Sequence, residues 1–190
     1  VDWIDAEKFE NDPASMNSLS KYDAMIIPGG FGERGSEGKM AAANFSRENG
    51  IPYLGLCFGF QLAIVSFARY ACNLDDANSV ELDENTNHPV IDIIPEQKDI
   101  KNKGATMRLG GIDIDITENT IAPRIYNSSK IRERHRHRYE FNQNYTKIFN
   151  ENGMVFSGSS DNGKRMEILE IPSHPFYVAV QYHPEFLSRP

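Results

Sequence analysis

The chain reads as an α/β protein, with an open, mostly parallel sheet flanked by helices and an antiparallel patch appended to it. Three observations predict this class. Up to Arg69, apolar strand-like runs alternate with stretches of helical period. Glycine-rich turns close two of those runs, at the carboxyl ends of strands where open α/β sheets bind ligands. From Ala105 onward, polar and apolar residues alternate with a period of two, as in antiparallel strands with one solvated face.

Val1–Asp5 reads as a short strand, and Ala6–Ser20 as a polar, irregular stretch with room for a short helix. Lys21–Ile27 is a better strand and ends in Pro28-Gly29-Gly30-Phe31-Gly32. These glycines allow backbone conformations that offer N–H groups to a ligand. The loop lacks both the further spaced glycine and the Gly-Lys-Ser/Thr ending of phosphate-binding fingerprints. Lys39–Asn49 reads as a helix that can bury Met40, Ala41, Ala43 and Phe45, with Gly50 as its C-terminal cap.

Ile51–Leu56 is the next strand, and it runs into Gly55-Leu56-Cys57-Phe58-Gly59-Phe60-Gln61 and then a buried-type helix. A cysteine is thereby set on a sharp strand-to-helix turn, the geometry of a nucleophile elbow. Free N–H groups at the helix start should lower the thiol pKa and favour thiolate. On the local pattern alone, a buried structural cysteine remains an equal reading.

Beyond Asn73 the pattern loosens into short extended runs at Asn78–Glu81 and Pro89–Pro95, then a charged, mobile loop over Glu96–Gly104. Ala105–Gly111 and Ile112–Ile116 read as two strands. In Glu133–Phe141, a period of two puts Arg134, Arg136 and Arg138 on one face and His135, His137 and Tyr139 on the other. Metal binding by His135 and His137 would need further ligands that the sequence does not cluster, so no metal is expected. The basic face is either solvated and ion-paired, or lends one arginine to a carboxylate-bearing substrate. Arg165–Ile171 and Phe176–Tyr182 pair across a Pro172–Pro175 turn, and His183-Pro184-Glu185-Phe186 follows. There a glutamate two residues on can hold the imidazole while its other nitrogen meets a thiol.

Composition narrows the function. The chain has 190 residues, 39% hydrophobic and 25% charged, enough for one sizeable core. Its net charge of −7 argues against broad nucleic-acid or anionic-membrane binding. No apolar run approaches the ~18 residues of a membrane span, and the first residues lack a signal-peptide layout. Cys57 and Cys72 stand at opposite ends of one helix, roughly 22 Å apart at ~1.5 Å per residue, too far for a disulfide. A reducing cytoplasm fits, and the Asn-x-Ser/Thr triplets at Asn44, Asn127 and Asn144 then carry no glycan.

Taken together, the Pro28–Gly32 loop, the Gly55–Gln61 elbow, Glu133–Glu140 and His183–Phe186 resemble the glutaminase domain of CTP synthase. The elbow and the His-Pro-Glu are common to triad-type glutamine amidotransferases. Arg34-Gly35 with Glu37-Gly38-Lys39, Ala77-Asn78-Ser79, Thr106–Gly110 and the Arg-His-Arg-His-Arg run are specific to CTP synthase within that group. The resemblance covers nearly the whole chain and implies the amidotransferase fold over residues 1–190.

It further implies that Cys57 attacks the glutamine side-chain amide to form a thioester and release ammonia. His183 would be general base and then acid, and Glu185 its orienter. The oxyanion hole maps onto the N–H groups of Gly30 and Phe58. Glutamine binding maps onto Gly30, Phe58, Gly59, Phe60, Gln61, Glu81 and Arg138, with Glu81 meeting the ammonium and Arg138 the carboxylate. The glutaminase step needs no cofactor. Ammonia would pass to a synthetase domain that uses ATP, Mg and UTP to make CTP, with GTP as allosteric activator and Arg34, Glu37, Thr106 and Arg108 in the coupling segments. The full-length enzyme would be a homo-tetramer, acting without nucleic acid or membrane.

Two departures stand out. Phe58 and Phe60 replace the family's usual Leu and Met, and larger rings could narrow the pocket. The chain is also expected to lack the family's synthetase domain, an upstream strand and helix, and a C-terminal helix. Two other readings stay open: the glutaminase module of another amidotransferase such as one serving GMP synthesis, and a non-catalytic nucleotide- or nucleic-acid-binding module.

Overall fold

The helix that follows the elbow, α3 (Phe58–Tyr70), is buried along its whole length from Phe58 to Ala68. A helix apolar on every side needs cover on every side. The structure, a computed structural model, describes residues 1–93 and 107–188. The expected Glu96–Gly104 loop and Thr106 lie outside those residues.

One cover is α2 (Ser36–Asn49), which ends on Gly50 in the left-handed region, φ +66°, as the sequence requires of a cap. The second is a seven-stranded sheet. Its strands are β1 (Met25–Ile27), β2 (Tyr53–Leu56), β5 (Arg108–Ile116), β6 (Lys130–His137), β8 (Val155–Ser160), β9 (Arg165–Glu170) and β10 (Tyr177–Val180). Their order is β1-β2-β10-β9-β8-β5-β6. The third is a small sheet of β3 (Ala77–Ser79), β4 (His88–Ile93) and β7 (Tyr139–Phe141). Shorter helices α1 (Glu7–Asn11), α4 (Ala122–Tyr126) and α5 (Thr146–Glu151) complete the layers.

The pleat sorts the core into two faces. Tyr53, Tyr177 and Ala179 join the cluster around α3, and the Tyr53 and Tyr177 rings stack at 4.4 Å. Leu56, Val178, Val180, Ile168 and Ile114 form a second cluster on the opposite face with Ala122 of α4. A third, smaller cluster of Phe9, Leu19 and Ala42 fastens the N-terminal segment to α2.

The pairings β1–β2 and β2–β10 are parallel, and β9, β8, β5 and β6 continue the same sheet antiparallel. The expected antiparallel patch is thus the far half of the main sheet. The two strands expected at 105–116 are one: β5 pairs with β6 without a break from Arg108↔His137 to Asp115↔Lys130. Gly110, at φ +90°, takes a backbone conformation open to glycine within the continuous strand. Val1–Asp5 is exposed and joins no sheet among the described residues, with Trp3 90% exposed. Lys21–Ile27 yields only β1, because Pro13–Lys21 winds into 3-10 turns that bury Leu19.

Candidate active site

Cys57 sits between β2 and α3 at φ +49° and ψ −96°, a conformation that costs a non-glycine residue about 1–3 kcal/mol and is kept only where the surroundings enforce it. Its N–H donates to Val180 O at 2.8 Å, and its carbonyl accepts from Phe60 and Gln61 N–H at 3.1 and 3.2 Å. The flanking glycines serve close packing. A Cβ on Gly55 would stand 2.7 Å from Gly59 O, and one on Gly59 would stand 2.2 Å from Ile27 O. The strained φ belongs to the cysteine itself.

His183 lies just past β10, the neighbour of β2, and is held by its N–H to Arg134 O at 2.9 Å. Its Nδ1 is 2.7 Å from Glu185 Oε1. A carboxylate only accepts, so Nδ1 carries a proton, and in the neutral ring the lone pair is on Nε2. Glu185 is presented by a 3-10 turn, Pro184–Leu187, rather than by the strand alternation expected from sequence, and Phe186 stacks on the imidazole at 4.3 Å. A Cβ on Gly29 would stand 2.8 Å from His183 Cε1 and 3.7 Å from Cys57 Cβ. Nucleophile, imidazole and glycine loop therefore converge on one point.

The thiol is buried, 5% exposed, and donates to Arg136 O at 3.8 Å while Gln181 Nε2 approaches it at 3.9 Å. Its pKa is pushed up to about 12, first by burial and then by the carboxylates of Glu185 and Glu81, against the pull of the Phe58 N–H. This corrects the expectation of a lowered pKa. The helix start does act in the expected direction, but desolvation outweighs it, and the resting group is a thiol. A base is required, and His183 has the free lone pair.

Around the thiol stand the residues expected to meet substrate. Gly32 N–H donates to Glu81 Oε1 at 3.2 Å, joining the glycine loop to the turn after β3. Burial raises the Glu81 pKa, and the Arg138 guanidinium opposes this, so these two opposite charges share one field. Gly30 faces the Phe58 ring. Phe58 and Phe60 are both buried in the core around α3, 1% and 0% exposed, so the Phe60 ring fills the interior and not the space above the thiol. The Gln61 amide is an internal tie. Its Nε2 donates to Tyr139 O at 3.0 Å and Gln181 Oε1 at 3.2 Å.

Sequence reasoning missed Gln181, the close approach of Gly29 to His183, and the Arg136 carbonyl. Gln181 was within reach, since it stands two residues before His183 and a period of two puts both on one side. The other two act through absence of a side chain and through backbone.

Among the described residues, Arg34, Glu37 and Arg108 of the segments expected to couple GTP each hold a different partner. Arg34 is paired with Glu7 at 2.5 Å, and Glu37 accepts from Arg69 at 2.8 Å. Arg108 turns inward instead, to Glu167 Oε1 at 2.5 Å and Ser160 Oγ at 2.6 Å. Beside Glu167 lie His135 and His137, so that one ligand atom from each of the three falls within 4.8 Å of the others. His135 Nδ1 and His137 Nε2 meet at 3.1 Å and Glu167 Oε1 holds Arg108, while His135 Nε2 and Glu167 Oε2 make no hydrogen bond. A dication would have to displace those contacts beside a buried guanidinium.

The family model for class-I glutamine amidotransferases matches residues 1–190. The chain belongs to the class-I glutamine amidotransferase family. Within it, the chain is similar to CTP synthases and to a CTPS glutaminase domain. It is 55% identical over 190 residues to a CTP synthase of Methanococcoides burtonii and 54% identical over 190 residues to one of Staphylococcus saprophyticus. In both cases it covers 100% of this chain and 35% of the relative, so the chain spans about a third of the length of these enzymes. Among solved structures, the Trypanosoma brucei CTPS glutaminase domain with bound acivicin matches with a TM-score of 0.91 and 39% identity, over 98% of this chain and 73% of that one. A glutamine amidotransferase from Thermotoga maritima, at 12% identity and a TM-score of 0.52, shares the fold. The amidotransferase domain is thus an enzyme domain, and none of its described helices is long and apolar enough to cross a membrane.

Proposed function

We propose that this domain hydrolyses L-glutamine through a Cys57 thioester and supplies the ammonia for amination of UTP to CTP. The observation that carries the reading is the convergence of the strained Cys57, the Glu185-held His183 and the Gly29 loop. His183 Nε2 takes the thiol proton as sulfur bonds to the amide carbon, and the developing oxyanion is met by the N–H groups of Gly30 and Phe58. His183 returns the proton to the leaving nitrogen, which departs as ammonia and leaves the thioester. Water then loses a proton to His183 and attacks the thioester, glutamate leaves, and the proton returns to sulfur. Glu81 receives the substrate ammonium and Arg138 its carboxylate.

Ammonia is used by a synthetase partner domain holding UTP, ATP and Mg, with GTP as activator, in a cytoplasmic homo-tetramer. The naming of the similar, longer proteins as CTP synthase supports the synthetase partner domain. That the similar Trypanosoma brucei CTPS glutaminase domain binds acivicin supports a small-molecule site in this domain. The test is ammonia release from L-glutamine by the chain and its Cys57→Ala form. A drop of several orders of magnitude is expected, and equal rates would overturn the reading.

A further inference from the structure

We propose that His137 is a positioning residue that sets the aim of Arg138 and thereby the affinity for the substrate's α-carboxylate; this rests on reading the site as a glutamine site. The chain leaves the seven-stranded sheet at His137, the last residue of β6, and enters the small sheet at Tyr139, the first of β7. Arg138 alone spans the crossing, so its guanidinium points wherever the backbone between two sheets is fixed.

The fixing contact is made by His137. Its Nδ1 lies 2.9 Å from Tyr139 O, closing a side-chain bridge over Arg138. A carbonyl only accepts, so Nδ1 carries the hydrogen and Nε2 has a lone pair. That lone pair accepts from His135 Nδ1 at 3.1 Å, which fixes the second tautomer as well. Both rings are buried, 2% and 4% exposed, and burial keeps them neutral.

The same Tyr139 carbonyl accepts from Gln61 Nε2 at 3.0 Å. Gln61 belongs to the helix that begins at Cys57, so one oxygen ties the elbow to the arginine crossing. Arg136 O, two residues earlier on β6, holds the thiol. Nucleophile and carboxylate clamp are therefore registered to each other through the backbone on either side of His137. Opposite, Glu81 shares the field of Arg138, so a shift of the guanidinium would spoil the spacing between the two groups that read the amino acid's charged ends.

The test compares kcat and KM for L-glutamine and for its α-carboxamide, which lacks the carboxylate, in the wild-type chain and in variants at position 137. His137→Leu removes the donor to Tyr139 O, and KM for glutamine should rise about 10–100-fold with kcat within about 3-fold. For the α-carboxamide, kcat/KM should stay within about 3-fold of wild type. His137→Asn places an amide N–H where Nδ1 stood and should restore most of the glutamine affinity. Should the leucine variant fail to fold, His137→Gln replaces it, since its amide lies too far out to reach Tyr139 O. Equal losses for both substrates, or an asparagine variant no better than the leucine or glutamine one, would overturn the proposal and leave the glutaminase reading intact. Wild-type hydrolysis that does not depend on Cys57 would overturn both.

Discussion

The Cys57 thiol faces the Arg136 carbonyl oxygen at 3.8 Å, an acceptor that favours the protonated sulfur. With burial and the carboxylates of Glu185 and Glu81 acting in the same direction, the thiol pKa reaches about 12. A free cysteine at pH 8 is partly thiolate, whereas this one is almost wholly thiol. Iodoacetamide should therefore label Cys57 at pH 8 at least about 100-fold more slowly than free cysteine. Neutralising a nearby carboxylate lowers a thiol pKa, so Glu81→Gln should label faster than wild type while losing glutamine affinity. Cys72 is buried too, its pKa raised to about 11, so labelling is followed by peptide mapping. Rapid wild-type labelling at Cys57 would contradict the burial argument.

The contact of Gly29 with His183 makes a second prediction. Gly29→Ala inserts a methyl 2.8 Å from His183 Cε1, on the side facing Cys57. Displacing the imidazole by a fraction of an ångström should cut glutamine hydrolysis about 100-fold or more, with overpacking costing only about 1–3 kcal/mol of stability. Gly59→Ala should behave in the opposite way. Its Cβ meets the Ile27 carbonyl oxygen at 2.2 Å, a backbone atom in the neighbouring strand, so the fold and not the chemistry fails. Urea titrations of both variants beside their rates separate the two cases.

Much of this was legible in the sequence where the cause is local. The Gly55–Gln61 elbow, the α2 cap at Gly50 and the alternation of Arg134, Arg136 with His135, His137 follow from residue type and period, and β6 buries the histidines and exposes the arginines as expected. The thiol pKa was not legible, because its direction is set first by burial under elements distant in sequence, and then by Glu185 and Glu81, brought from the turn past β10 and the turn after β3. Arg108 is expected in a GTP-coupling segment, yet Glu167 and Ser160 on β9 and β8 draw it inward. Ala105–Gly111 and Ile112–Ile116 read as two strands, yet the β6 partner carries β5 through Gly110 and Gly111 without a break. In each case a partner distant in sequence overrides a correct local signal.

Glu185 fixes the His183 tautomer through a contact of 2.7 Å but is itself 43% exposed at the side chain. Solvent weakens its charge, so its main service is to hold the ring in one tautomer and orientation. Glu185→Gln keeps an acceptor oxygen of similar reach, and the loss in kcat should be modest, about 10–100-fold, with KM for glutamine little changed. Glu185→Ala, which frees the ring to turn, should cost about tenfold more. Equal effects of the two would place the charge, not the orientation, first.

The buried pair His135 and His137 predicts how stability responds to acid. Burial, with nearby cations, holds both pKa values down to about 3, against about 6.5 in an unfolded chain. Between those values the unfolded state binds protons that the native state refuses, so stability is fully present above pH 6.5 and falls as pH drops toward 3. At pH 5.5 each histidine should already have cost about 1.4 kcal/mol. Glu81, Glu133 and Glu140 act in the opposite sense, because burial raises their pKa values and the native state gains protons first. Their effect begins only as pH reaches those raised values. Urea titrations at pH 7.5 and 5.5 should show the wild-type chain losing up to about 3 kcal/mol. His135→Gln with His137→Asn should flatten that slope even if the variant is less stable at both pH values. An unchanged slope in the double variant would mean that the proton uptake belongs elsewhere in the chain.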